Sequence, residues 1–121
     1  MSGKLTLEQQ FSIQVERGNL KGNTVAQNQE YLSSLVERNL FLQEEWHRKV
    51  MLKETGEATG MPEETLLSKK FRQHSVIEGI RQISDQTKLI ELSLSILSQN
   101  MSLTNWIESV ATPNKVKPQS P

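Results

Sequence analysis

The stretch VAQNQEYLSSLVERNLFLQEEWHRKVMLK, residues 25–53, contains neither Gly nor Pro. Thr24 precedes it, and Gln27 follows three residues later, which is the spacing of a capping box. The Thr hydroxyl would accept from a free N–H of the first turn while the Gln amide reaches back to the cap. Val25, Leu32, Leu35, Leu42, Trp46 and Val50 fall on one broad stripe, with Val36 and Leu40 beside it. This predicts one long helix of roughly thirty residues, about 45 Å at 1.5 Å per residue. A single short neighbour cannot cover so long a stripe. A second chain or the C-terminal half has to, and the fold class is therefore all-α, a helical bundle.

Upstream, Thr6 and Gln9 repeat the capping-box spacing, and Leu7, Phe11 and Val15 recur every four residues. A first helix is predicted from about Leu7 to Arg17, with Gly18 to Asn23 as a tight connection. Downstream, Glu54 to Met61 forms the clearest boundary, with Gly56 and Gly60 ahead of Pro62. Pro62 suits the first position of a helix, and Glu63 and Glu64 suit the positive end of its dipole. Val76, Ile80, Ile83, Thr87, Ile90, Leu94, Leu97 and Met101 then alternate by four and three, the seam of a heptad-patterned helix. Ile77, Leu92 and Ile96 widen that face into one suited to a bundle. Gly79 weakens the helix by about 1 kcal/mol relative to Ala and marks a bend or close packing. Ser102 is placed to cap a last short helix carrying Leu103, Trp106, Ile107 and Val110.

These signals divide the chain into a helical hairpin at 1–55, a linker at 56–61, a helical region at 62–111 and a flexible tail at 112–121 containing Pro113, Pro118 and Pro121. The hairpin is expected to form a dimeric helix bundle. Bundle packing is assigned to Leu32, Leu35, Leu42, Val50, Val76, Ile80, Ile83, Ile90, Leu94 and Leu97.

Composition narrows the function classes. Hydrophobic residues make up 35% and aromatics 5%, so a core must come from Leu, Ile and Val. Such chains often complete their burial by oligomerising. Lys plus Arg and Asp plus Glu number 14 each, which argues against broad electrostatic binding to nucleic acid. There is no Cys, hence no disulfide, thiolate metal site or Cys nucleophile. No apolar run has the length of a membrane span, and the N-terminus does not read as a signal peptide, so a cytoplasmic setting without membrane insertion is expected.

Catalytic chemistry finds no motif. His47 and His74 stand far apart, and Glu44, Glu45 and His47 supply no metal-ligand spacing. No catalytic residue, metal or cofactor is assigned, and the chain reads as non-enzymatic. Trp46 lies on the apolar stripe, where it either packs in the core or anchors a partner. Lys69, Lys70, Arg72 and Arg81 form a charged face on the third helix, either solvated or facing an anionic partner.

The order Leu5-Thr6-Leu7-Glu8-Gln9-Gln10-Phe11-Ser12-Ile13, followed without a gap in length by Gln29-Glu30-Tyr31-Leu32, resembles the NblA phycobilisome degradation proteins of cyanobacteria and red-algal plastids. Val50-Met51-Leu52-Lys53 is similar to the end of that family's long helix. The likeness covers about residues 5–53 and leaves the heptad-patterned half outside it. It implies a short helix and a long helix paired into a homodimeric bundle. It also implies an adaptor that binds phycobiliproteins and brings them to a Clp-type chaperone–protease. The setting would be the cytoplasm, or the plastid stroma of an alga, at the thylakoid surface. In that family a Leu and a Lys near the end of the long helix contact the phycobiliprotein, and the matching positions are Leu52 and Lys53. A Lys there also complements the helix dipole. The alternative is a small helical structural or assembly subunit of a complex with a different client.

Overall fold

The computed structural model describes residues 3–111. Four helices follow one another: α1 (Leu7–Lys21), α2 (Val25–Thr55), α3 (Glu63–Ile80) and α4 (Gln86–Ala111). Among the described residues there is no strand. The tail expected at 112–121 lies outside the described residues.

Both N-terminal caps form as their spacing predicts. Thr6 Oγ1 accepts from the Gln9 N–H at 3.1 Å while Gln9 Oε1 accepts from the Thr6 N–H at 3.0 Å. Thr24 and Gln27 do the same at 3.1 and 2.9 Å. The long helix α2 ends at Gly56, whose φ of 81° is left-handed and whose N–H returns to the Leu52 carbonyl at 2.9 Å. A side chain there would be strained, so Gly56 is where the helix has to stop.

Four boundaries differ from expectation. Helix α1 runs on through Gly18 and Asn19 to Lys21, because Leu20 is 1% exposed and packs on Ile90 and Leu94. That burial outweighs the cost of about 1 kcal/mol for an internal Gly. Pro62 stands just before α3 as its N-cap, with extended ψ of 143°, rather than inside its first turn.

The continuous heptad helix does not form. It breaks at residues 81–85, where the Arg81 N–H still reaches the Ile77 carbonyl while Asp85 Oδ1 accepts from the Thr87 and Lys88 N–H groups. The reversal places Ile80 and Leu89 together on Leu32, with Ile83 tucked beside them. A straight helix would carry those residues apart. Finally, no separate terminal helix starts at Ser102. Helix α4 passes through it without interruption to Ala111.

Contacts fix the directions. Asn39 meets Asn100 and Trp46 meets Trp106, so α2 and α4 run parallel. Gln43 meets Lys69, and Gln29 meets Arg81 and Ile83, so α3 is antiparallel to α2. Gln9 meets Asn105 and Arg17 pairs with Glu91, so α1 is antiparallel to α4. Helix α4 packs against both α1 and α2, and α3 packs on α2. The stripe of α2 is thus covered by α4 of the same chain.

Two apolar clusters result. Leu20, Ile90 and Leu94 gather Ile13, Tyr31 and Leu97. Leu32, Ile80 and Leu89 gather Val25, Val36, Ile83 and Ile96. Leu42 is buried, and Leu35 and Val50 are half-buried on the same helix. Val76 departs from its assignment to bundle packing. It is 49% exposed, because α3 turns its Ile77 and Ile80 side inward instead.

Polar groups cross-link the helices where apolar packing is thin. Asn28, fully buried, donates through Nδ2 to the Leu20 carbonyl at 3.0 Å and accepts from Asn23 Nδ2 at 2.9 Å. Gln86 Nε2 donates to the Asn23 carbonyl at 2.6 Å, and Gln29 Nε2 to the Ile83 carbonyl at 2.7 Å. The Asn23 and Ile83 carbonyls lie in turns between helices, and the Leu20 carbonyl at the end of α1 takes the Asn28 amide in addition to the Asn23 N–H.

The phenol pKa of Tyr31 on α2 is raised above the usual 10.0 by burial and by the nearby Glu16 carboxylate of α1. The fold therefore favours the neutral phenol. Its contribution is complete below pH 10 and is lost as pH rises past it, because the unfolded chain ionises first. Tyr31→Phe is expected to flatten the alkaline fall in stability, read as Tm against pH between 8 and 11.

Candidate functional site

The C-terminal end of α2 is built by its own terminator. Because Gly56 closes the helix against the Leu52 carbonyl, the last turn, with Leu52 and Lys53, is held in helical geometry up to the loop. Thr55 Oγ1 adds a bond to the Met51 carbonyl at 2.7 Å. Leu52 is 44% exposed, and Lys53 is exposed and makes no hydrogen bond or ion pair among the described residues. Neither belongs to an apolar cluster. An apolar side chain beside a free ammonium on a rigid helix end can present one apolar contact and one cationic contact to another protein.

Trp46 is placed differently. It lies one and a half turns nearer the core and stacks on Trp106, with centroids 5.6 Å apart and planes tilted by 59°. Such a tilted pair is a favoured aromatic arrangement. Trp46 is half-buried and is engaged in holding α2 to α4, while its partner Trp106 remains 41% exposed. The segment before α1 closes on the same place. Gly3 lies so near the indole of Trp106 and the hydroxyl of Ser102 that a Cβ would collide with both. Asn105 Nδ2 donates to the Lys4 carbonyl at 3.1 Å, and Asn105 and Gln9 exchange amide bonds at 2.9 and 3.1 Å.

A second apolar feature lies on α1. Ile13 and Leu20 face inward, so Leu7, Phe11 and Val15 emerge on the opposite side, at 82%, 70% and 47% exposure. Nothing in the described chain covers them.

The remaining candidates separate. Arg48 pairs with Glu44 at 3.4 Å and Glu45 at 3.9 Å, so those carboxylates are held on their own helix. His74 faces Glu78 at 3.9 Å on the surface of α3. Among the described residues no three His, Asp or Glu side chains converge as a metal site needs. Among the same residues no helix is long and apolar enough to cross a membrane.

Sequence reading did not find the polar chain that links three helices. Lys69 Nζ donates to Gln43 Oε1 at 2.9 Å, Gln43 donates to Asn39, and Asn39 Nδ2 donates to Asn100 Oδ1 at 2.8 Å. Asn100 in turn donates to the Leu35 carbonyl at 3.1 Å. Its one signal is Asn39, a polar residue set among Leu32, Leu35, Leu42 and Trp46 on the apolar stripe. No protein-family model matches the chain, and comparison with curated proteins and with solved structures returned no match either.

Proposed function

We propose that this protein is a non-enzymatic adaptor of the NblA type, which binds phycobiliproteins through the end of α2 and promotes phycobilisome degradation through a Clp-type chaperone–protease. The observation that carries the reading is that Leu52 and Lys53, the positions matching the family's client contacts, are exposed together and serve no part of the core. The resemblance of residues 5–13 and 29–32 supports it, since the same segment forms the capped α1 and the start of α2. The adaptor acts in the cytoplasm or plastid stroma, at the thylakoid-bound antenna. Homodimerisation belongs to the same reading. With the α2 stripe covered internally, a second copy meets the chain through Leu7, Phe11 and Val15, an apolar face that nothing among the described residues covers.

The test is direct binding of purified phycocyanin by the full chain, measured with wild type and with Leu52→Ala/Lys53→Ala. Both side chains are exposed, so the fold and its Tm should stay within about 0.5 kcal/mol of wild type. Client affinity is expected to fall at least ~10-fold, which corresponds to about 1.4 kcal/mol across the two contacts. Unchanged affinity removes the helix end from the interface. Recovery of a different stable complex from a phycobilisome-containing lysate, with neither phycobiliprotein nor Clp chaperone in it, overturns the adaptor reading in favour of an assembly subunit.

A further inference from the structure

Helices α3 and α4 converge where Ile80 and Leu89 meet on Leu32, then diverge along α2. The gap between them is a groove. Its floor is α2, where Asn39 and Gln43 border the hollow on the α3 side and also the hollow on the α4 side. Lys69, Arg72 and Val76 line the α3 wall; Leu103 and Trp106 line the α4 wall.

The electrostatics are one-sided. Among the described residues Lys69 and Arg72 border the groove, and no carboxylate lines either hollow. The floor amides cannot neutralise the cations. Gln43 spends its oxygen on Lys69, and the chain of donors then runs away from α3 to Asn39 and Asn100. Arg72 donates to Ser68 Oγ at 3.2 Å and makes no ion pair among the described residues. Apolar surface is available along the same line: Val76 is 49% exposed and Trp106 41%. An exposed indole at the wide end of a groove is a typical anchor for a docking helix.

We infer that this groove is a docking site for an acidic amphipathic helix of a partner protein, its carboxylates against Lys69 and Arg72 and its apolar face against Val76, Leu103 and Trp106. The occupant's acidity follows from the lining, since a basic or neutral helix would leave both cations unpaired or repelled. The groove is built by α3 and α4 and lies apart from Leu52 and Lys53, so it stands independently of the adaptor reading.

The experiment uses the full chain and a fluorescein-labelled 18-residue synthetic helix with Leu at every third and fourth position, flanked by Glu. A matched peptide replaces each Glu by Lys. Vesicles of phosphatidylglycerol and a single-stranded oligonucleotide serve as competing anionic probes. Saturable binding of the Glu peptide is expected, weakening with added salt and accompanied by a blue shift of tryptophan emission as Trp106 is covered. Arg72→Glu should weaken it at least ~10-fold, and Arg72→Gln by a smaller factor. The Lys peptide should bind at least ~10-fold less tightly than its Glu counterpart. Leu52→Ala/Lys53→Ala should leave peptide binding unchanged, which separates this site from the client site. Absence of saturable Glu-peptide binding overturns the inference. So does equal binding of the Lys peptide, indifference to both Arg72 variants, or tighter binding of the vesicles or oligonucleotide than of the Glu peptide.

Discussion

Replacing Leu89 by Ala is expected to destabilise the protein by about 3–4 kcal/mol, the range for a fully buried Leu whose neighbours cannot close the gap. Leu89 is 0% exposed and sits where three helices meet, against Leu32 of α2 and Ile80 of α3. It is also the residue that closes the 81–85 reversal, since its N–H bonds back to the Asp85 carbonyl at 3.0 Å. Collapse into the cavity would require α3, α2 and α4 to shift together, so little relaxation is available. The expected fall in Tm is roughly 10–15 °C for a chain of this size. Calorimetry or urea unfolding followed by circular dichroism measures it. A change below about 1 kcal/mol would show that the α3–α4 elbow is loosely packed.

The second large effect is at Asn28. Its amide donates to the Leu20 carbonyl and accepts from Asn23, tying the α1–α2 connection to the body of α2. Asn28→Ala removes both bonds, leaving the Asn23 side-chain amide without this acceptor and the Leu20 carbonyl with only the Asn23 N–H, at a cost of about 2 kcal/mol. Asn28→Asp keeps the shape but substitutes a carboxylate for the donor, placing a negative charge against that carbonyl in a fully buried site. At pH 7 its cost is expected to exceed that of Asn28→Ala. The buried carboxyl has a raised folded pKa, so its protonated form is the tolerated one. The penalty should shrink as pH falls toward 4 and grow again as pH rises. Equal stability of the two variants at pH 7 would mean that Asn28 is not held in this geometry.

How much of this was legible in the sequence depended on how local each signal was. Both capping boxes were readable, because Thr6 with Gln9 and Thr24 with Gln27 act within one turn. The long helix was readable for the same reason, and its end, expected near Lys53, comes two residues later at Thr55. The elbow at 81–85 was not. Ile80 and Ile83 keep a helical i, i+3 spacing across it, no Pro marks it, and Gly79, read as a weak point or a bend, stands one residue before the end of α3 without saying that the chain reverses. Only Asp85 hints at a new start, and its capping bonds follow from where the chain has already turned. Gly18 misled in the opposite sense, because burial of Leu20 two residues later carries the helix past it. Ser102 misled similarly: Ser is common at helix starts, but inside α4 the backbone already has its partners.

The candidate site divided along the same line. Leu52 and Lys53 could be placed on a helix end from sequence, and they are exposed there. Trp46 was open between core and interface, and its stacking on Trp106 is a tertiary fact with no local sign. The groove between α3 and α4 depends wholly on the elbow. A continuous helix would have had no groove, so Lys69 and Arg72 could only be read as surface charge.

The central structural claim is that the two halves of the chain share one core, with α4 covering the stripe of α2. The most direct measurement is thermal and urea unfolding of the fragment 1–56, which keeps both capping boxes and Gly56 but lacks α3 and α4. Leu20 and Leu32 would lose Ile90, Leu94, Ile80 and Leu89 as neighbours. The expected result is low helicity with no cooperative transition, and recovery of structure when a peptide spanning 62–111 is added. A fragment that is fully helical and unfolds cooperatively by itself, as a monomer or a dimer, would contradict the shared core.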